Sequence, residues 1–129
     1  MKAVPKYLVC KHCGNVIEML HDKGVPVICC GEAMGELTAN TTDAAQEKHV
    51  PVYKMDGNNI EIQIGSVPHP MLEEHHIAWI WLQTELGGQR RALSPGDEPK
   101  AVFTIAPGDK PVAIFEWCNI HGLWKADVK

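Results

Sequence analysis

Hydrophobic and polar residues alternate in short runs along the part of the chain that follows residue 50. A period of two is typical of β-strands, in which successive side chains point to opposite faces of a sheet. The pattern predicts strands at residues 52–55, 60–64, 75–82, 101–105 and 112–118. In the third run, apolar residues occupy both faces, which indicates a central strand.

Turn-forming residues separate the predicted strands. Gly tolerates positive φ and Pro presets φ, and such residues are concentrated, with Asn, Asp and Ser, at 56–59, 87–88, 94–97 and 106–109. Several short strands at this spacing predict a β-sandwich. No convincing helix, repeat or low-complexity tract is apparent. We therefore assign the chain to the all-β class.

The composition changes near residues 36–46, which are polar and small and show no strong periodicity. We interpret this segment as a linker between two domains, residues 1–36 and 37–129. The first domain is shorter than the roughly 40 residues below which a disulfide, a metal or a partner is usually needed for folding. We therefore expect the N-terminal domain to depend on a bound metal.

Composition and charge exclude several classes of partner. The chain is 45% hydrophobic, has a formal charge of −4 and contains no long basic run, so bulk electrostatic binding to nucleic acid or anionic lipid is not expected. No apolar run approaches the roughly 18 residues of a membrane span. Residues 1–5 lack the apolar stretch of a signal peptide, and the sequence predicts a cytoplasmic protein.

Four of the five cysteines lie near the N-terminus, as Cys10-x-x-Cys13 and Cys29-Cys30. In a reducing cytosol such clusters are more often metal ligands or redox groups than disulfides, and an odd count fits pairing poorly. One tight turn can present Cys10 and Cys13 to a single ion, and the adjacent pair completes a four-sulfur shell typical of zinc or iron. The residues alone leave iron, a structural zinc knuckle and a disulfide pair as alternatives.

A second group of potential ligands is dispersed over the rest of the chain. It combines imidazoles with one thiolate: His49, His69, His75 and the C-x-x-H pair Cys118 and His121. Pro68 and Pro70 restrict the backbone around His69 and keep it in a stiff, non-helical loop, which suits a metal ligand. Mixed thiolate and imidazole ligands suit iron, copper or zinc.

With these motifs the chain resembles the desulfoferrodoxin family, the two-iron form of superoxide reductase. The resemblance covers essentially the whole chain and rests on the cysteine motifs, the triplet Glu47-Lys48-His49, and the His-Pro-Met stretch that begins at His69. It implies a small desulforedoxin-like domain followed by an immunoglobulin-like β-sandwich. It also implies two irons: FeCys4 at Cys10, Cys13, Cys29 and Cys30, and FeHis4Cys with His49, His69, His75 and His121 in the equatorial plane and Cys118 as axial ligand.

The resemblance implies one-electron reduction of superoxide to hydrogen peroxide at the ferrous His4Cys centre. Lys48 is implied to attract the anion and position the water that donates a proton. Glu47 resembles the carboxylate that occupies the sixth iron position of the oxidised site in this family. The implied partners are superoxide and a small electron donor such as rubredoxin, and the implied assembly is a homodimer.

The other histidines and the tryptophans have simpler expected positions. His12 and His21 are expected on the surface, and strand alternation turns His76 to the face opposite His75. Three tryptophans are expected in the core: Trp79, Trp81 and Trp117. Trp124 is expected to cover the chain end or a subunit interface.

Two other classes of function remain as alternatives. One is a non-catalytic electron-transfer protein with a copper site behind a structural zinc knuckle. The count of four histidines argues against it, because blue-copper sites use two histidines and one cysteine with a weak axial ligand. The other is a zinc-stabilised interaction module, which leaves the second group of ligands unexplained.

Overall fold

The computed structural model describes residues 4–129, which fold almost entirely into β-strands. By internal contacts they divide into two compact units, one ending at Thr38 and the other running from Ala39 to Lys129. Within residues 4–129, no helix is long and apolar enough to cross a membrane.

The N-terminal unit contains five short strands. Strands β1 (Tyr7–Val9), β2 (Val16–Glu18) and β5 (Gly35–Glu36) form an antiparallel sheet in the order β2-β1-β5, and β3 (Ile28–Cys29) pairs with β4 (Glu32–Ala33). Among the described residues of this unit only Tyr7, Leu8 and Cys10 are buried. So small an apolar core is typical of domains that need a metal or another cross-link to fold.

The C-terminal unit is a sandwich of two antiparallel sheets. After the short helix α1 (Gln46–His49), the strands are β6 (Pro51–Asp56), β7 (Asn59–Ile64), β8 (Ile77–Thr84), β9 (Gly88–Ala92), β10 (Lys100–Thr104), β11 (Pro111–Cys118) and β12 (Gly122–Asp127). The sheet orders are β10-β7-β6 and β12-β11-β8-β9. Inward-facing residues of both sheets form one apolar core, which includes Ile60, Ile80, Phe103 and Ile114. The all-β sandwich prediction is confirmed.

The sequence pattern missed three elements of the C-terminal unit. Strand β9 is exposed at every residue and therefore shows no apolar alternation. Its first residue, Gly88, was predicted as part of a turn, and a Cβ there would come within 2.3 Å of the Trp81 ring. Strand β12 was also missed, and so was α1, because four residues are too few for a helical period.

A β-bulge in β8 changes which side chains face the core. Trp117 pairs with Trp79, but the next residue, Cys118, pairs with Ile77, so Ala78 is an extra residue. Ile77 therefore joins the core, whereas the sequence pattern placed it on one face with Trp79. The prediction that Trp79, Trp81 and Trp117 lie in the core is wrong, because they occupy the other face of the sheet and are only partly buried.

Candidate metal centres

The four N-terminal cysteines converge on one point. The Sγ atoms of Cys10, Cys13, Cys29 and Cys30 all lie within 4.8 Å of one another. Cys10 and Cys13 flank the turn that follows β1, where the N–H of Gly14 donates to the carbonyl of Cys10 at 2.9 Å. Between Cys13 and Cys29 the sulfurs are 3.6 Å apart, well beyond the length of a disulfide bond.

Cys29 and Cys30 are adjacent in sequence, and both can reach this centre because the chain turns back between β3 and β4 directly after Cys29. Side chains of consecutive residues in a strand point to opposite faces, so Cys29 and Cys30 could not meet in a regular strand. Cys30 and Gly31 have φ values of 53° and 76°, and they form the two-residue loop between the paired residues Cys29 and Glu32. Positive φ at both loop positions is typical of a type I′ hairpin turn. A left-handed cysteine costs about 1 kcal/mol or more, which indicates that the turn serves the site.

The thiol pKa values fit a site that binds a cation. The backbone N–H of Cys13 is the main cause that lowers the pKa of Cys10 to about 6. In contrast, the neighbouring sulfurs, that of Cys13 first, raise the pKa of Cys30 to about 12. Four thiolates at this spacing repel one another unless a cation binds them, and a four-sulfur donor set selects iron or zinc.

Asn15 is a residue of this centre that the sequence motif did not indicate. Its backbone N–H donates to Cys13 Sγ at 3.5 Å, and its side-chain amide donates to Cys29 Sγ at 3.7 Å. Hydrogen bonds to the sulfurs are one way in which a protein adjusts the reduction potential of a thiolate-bound iron.

Four histidines form a square in the C-terminal unit. Going round it, the ring centroids of His49, His69, His75 and His121 are 4.7, 4.7, 5.0 and 4.8 Å apart. Across the square, His49 and His75 are 6.4 Å apart. Each ring is thus nearly equidistant from its two neighbours round the square. The four side chains come from α1, from the loop between β7 and β8, and from the turn between β11 and β12.

The orientation of the rings shows which nitrogens face the centre. His49 Nδ1 lies 2.6 Å from the carbonyl oxygen of Ala45, and His69 Nδ1 lies 2.6 Å from that of Pro70. Because a carbonyl only accepts, both Nδ1 atoms carry the proton and both Nε2 atoms keep a lone pair. Those two Nε2 atoms are 3.2 Å apart, a repulsive contact unless a cation binds both.

His75 and His121 complete the nitrogen donors. His75 Nε2 is buried and has no hydrogen-bond partner in the described part of the chain. His121 presents Nδ1, which lies 3.1 Å from His49 Nε2. An unpartnered, buried nitrogen is rare unless it binds a metal or a water. The donor set therefore consists of three Nε2 atoms and one Nδ1 atom.

Burial favours the neutral form of His49, His69 and His75, which is the state that binds a metal. Desolvation is the main cause that lowers the pKa of His69 to about 4. It also lowers the pKa values of His49 and His75, and the positive charge of Lys48 is one of the smaller causes at His75.

Cys118 provides the thiolate beside the histidines. Its Sγ is 3.9 Å from His121 Nδ1 and belongs to the cluster with His49, His75 and His121. Burial raises the pKa of the Cys118 thiol, and the N–H of His121 donates to its sulfur at 3.4 Å. Four nitrogens and one sulfur differ from the two histidines and one cysteine of blue-copper sites.

Glu47 and Lys48 lie on α1, directly before His49, and both are exposed. The backbone of Glu47 is held by the following loop, because its carbonyl accepts the N–H of Val67 at 2.9 Å and the hydroxyl of Ser66 at 3.3 Å. Gly65 makes this approach possible, since a Cβ there would come within 2.8 Å of the Glu47 carbonyl oxygen.

Trp124 supports two of the ligand histidines and was predicted elsewhere. It is 1% exposed, stacks on His49 with ring centroids 4.9 Å apart, and donates its indole N–H to the carbonyl of His121 at 3.1 Å. The expectation that Trp124 covers the chain end or a subunit interface is therefore wrong. No motif indicated this contact.

The other histidines are outside both clusters. His12 and His21 are exposed, and His12 lies 3.7 Å from the Glu32 carboxylate. The His76 ring donates from Nδ1 to the carbonyl of Leu72 at 3.0 Å.

The fold and the two donor sets define a non-haem metalloprotein with one four-sulfur centre and one centre of four nitrogens and one sulfur. A family model for desulfoferrodoxin matches residues 41–127. The chain belongs to the desulfoferrodoxin family. Its two donor sets fit two iron ions per chain.

Similar proteins match nearly the full length of the chain. Desulfoferrodoxin from Nitratidesulfovibrio vulgaris is 48% identical over 119 residues, which cover 92% of this chain and 93% of that protein. A desulfoferrodoxin homologue from Archaeoglobus fulgidus is 43% identical over 126 residues, 98% of this chain and 99% of its own. The crystal structure of the superoxide reductase from Treponema pallidum has a TM-score of 0.81 and 32% identity and covers 97% of this chain and 100% of its own.

Proposed function

We propose that this protein is a superoxide reductase, which adds one electron and two protons to superoxide and releases hydrogen peroxide. The observation that carries this function is the square of four histidines beside the Cys118 thiolate. These five residues would hold ferrous iron, which would supply the electron and bind a small anion.

The chain's own residues prepare the centre for this chemistry. Neutral imidazoles do not repel an incoming cation, and the backbone carbonyls of Ala45 and Pro70 fix two of the rings. The Cys118 thiolate donates electron density to the iron, and its N–H···S bond from His121 moderates that donation.

Lys48 attracts the superoxide anion and positions the water that donates a proton. The protein has a net charge of −4, so a local positive charge is needed to direct an anion to the site. Lys48 is exposed on the same helical turn as His49, and its charge acts at His75, which supports this role.

Glu47 supplies a carboxylate that would bind the iron of the oxidised site. It precedes Lys48 on α1, and its backbone is held by the loop around Gly65. Its role is to protect the oxidised centre, so the reaction does not require it.

The two domains, residues 1–36 and 37–129, have different roles. The second carries the reaction, and the four-sulfur iron of the first either relays electrons to it or is largely structural. The electrons come from a small donor such as rubredoxin. We assign the protein to the cytoplasm, because cysteines that cluster as metal ligands instead of forming disulfides are typical of a reducing compartment. A homodimer would bury further surface of the N-terminal domain, whose apolar core is small.

Stoichiometry tests the proposed function. Iron-loaded protein is mixed with a superoxide flux and a measured amount of reductant, and reductant consumed, hydrogen peroxide formed and dioxygen evolved are followed together. A superoxide reductase consumes one electron per superoxide and evolves no dioxygen. Superoxide removal that continues without reductant and releases dioxygen would identify a dismutase instead.

A further inference from the structure

Three of the five ligands of the histidine–cysteine centre lie at the end of the β8–β11 ladder or just beyond it. His75 precedes β8, and Cys118 and His121 border the turn between β11 and β12. The last pair of the β8–β11 ladder is Ile77 with Cys118, directly beyond the bulge at Ala78. Beyond that pair the ladder ends, so the positions of His75 and His121 relative to each other depend on contacts outside the sheet.

His75 is oriented differently from the other ligands. His49 and His69 are each held by a bond from their own ring to a backbone carbonyl. The described hydrogen bonds of His75 are made by its main chain. Its carbonyl accepts the N–H of Leu72 at 2.9 Å, and its N–H donates to the carbonyl of Leu72 at 3.1 Å. Its Nε2 has no partner in the described part of the chain. The position of the His75 ring therefore depends on where this turn is placed.

Asn119 ties that turn to the cysteine loop with three hydrogen bonds. Its side-chain oxygen accepts the N–H of His76 at 2.8 Å, and its side-chain nitrogen donates to the carbonyl of Glu74 at 3.1 Å. Its backbone N–H donates to the carbonyl of His76 at 3.1 Å. The three bonds reach the residues on both sides of His75, and they start from the residue directly after Cys118.

The carboxamide of Asn119 makes both side-chain bonds because it carries a donor and an acceptor on separate atoms. Asn offers one acceptor and two donors on a short stem, whereas an ionised Asp only accepts and Ala does neither. Asn119 is exposed, so its removal leaves no buried polar group unpaired and is not expected to prevent folding. This makes the residue suitable for a clean test.

We propose that Asn119 is a positioning residue of the histidine–cysteine centre, a cross-link that fixes His75 relative to Cys118 and His121. The proposal deepens the proposed function and rests on it only for the consequence in catalysis. The placement of the ligand loops can be measured without superoxide.

The test compares wild type with Asn119→Ala and Asn119→Asp, all iron-loaded. The readouts are the rate of iron loss to a chelator and the thiolate-to-iron absorption band of the oxidised protein. Loss of a residue that orients metal ligands typically weakens metal binding 10- to 100-fold. We expect Asn119→Ala to release iron from the histidine–cysteine centre roughly tenfold faster, with a shifted band. Asn119→Asp keeps the acceptor for His76 and is expected to release it at an intermediate rate.

The four-sulfur centre is an internal control in the same molecule, because a general loss of stability would also release its iron. Asn58→Ala, at an exposed position in the turn between β6 and β7, is the matched surface control and should behave as wild type. Unchanged iron release and an unchanged band in Asn119→Ala would overturn the proposal, and so would equal loss of iron from both centres. If the variant shows the predicted release but the wild type does not reduce superoxide, the proposed function fails and the role of Asn119 stands.

Discussion

The indole of Trp124 stacks on the imidazole of His49, with centroids 4.9 Å apart and planes inclined by 27°. The same indole donates to the carbonyl of His121, so one side chain contacts two neighbouring corners of the histidine square. Strand β12, which carries Trp124, thus supports the metal centre although none of its residues is a ligand.

Substitution of Trp124 separates these two contacts. Trp124→Ala removes a fully buried ring and is expected to destabilise the protein by about 3–5 kcal/mol. Trp124→Phe keeps an aromatic face for His49 and loses only the bond to His121, so we expect a smaller loss of stability. Urea unfolding and iron content at the histidine–cysteine centre measure both effects. Trp79→Phe, on the outer face, is the control, and an equal effect of the two Phe variants would contradict the prediction.

Cys13→Ser is expected to remove the iron of the four-sulfur centre and leave the other iron in place. The two donor sets share no residue, and each lies in a different compact unit. Metal analysis and the visible spectrum should show loss of the four-sulfur bands, while superoxide reduction with an artificial donor continues. Loss of both irons and of all activity would mean that the N-terminal centre is needed for the fold or the chemistry.

Lys48→Ala is expected to slow the reaction with superoxide roughly tenfold at low ionic strength, because one positive charge near the site is lost. The iron spectra should not change, since Lys48 is not a ligand. Rapid kinetics at several salt concentrations check the prediction, and the difference from wild type should shrink as salt screens the charge. Lys54→Ala, an exposed lysine on β6, is the charge-matched control. A rate equal to wild type at every salt concentration would remove Lys48 from the mechanism.

Glu116 makes the stability of the protein depend on pH. It is fully buried between Ile80 and Trp124 on the neighbouring strands, and its carboxylate oxygens have no hydrogen-bond partner in the described part of the chain. Burial raises its pKa well above the ordinary value of 4.5. The folded state therefore keeps a proton that the unfolded state releases, and the stability from this group is present at low pH and declines as the pH rises above 4.5.

Glu116→Gln should reduce the loss of protein stability that accompanies rising pH, because Gln has no ionisable group. Urea midpoints measured from pH 5 to pH 8 are expected to fall less with pH in Glu116→Gln than in wild type. Glu61→Gln, an exposed glutamate on β7, should keep the wild-type pH dependence. Parallel curves for wild type and Glu116→Gln would mean that Glu116 has a partner in solution.

The predictable part of the fold is the part in which one sheet face is buried and the other is not. Strands β7 and β10 show this alternation and lie within a few residues of the predicted runs. Strand β9 has no buried face and β12 is covered on most of its length, so neither shows alternation. The bulge at Ala78 was not predictable, because it is set by the pairing of β8 with β11.

By itself, the sequence determined the kinds of donor atom that this protein offers, because the positions and spacings of its cysteines and histidines can be read directly from it. The structure shows that two ring orientations are set locally, since His49 and His69 are held by carbonyls at most four residues away. Only the tertiary structure decided that the four rings meet in a square, and that Trp124 and Asn119 hold it together. The physical reason is distance along the chain: Asn119 reaches Glu74 across 45 residues, and such a contact has no local pattern.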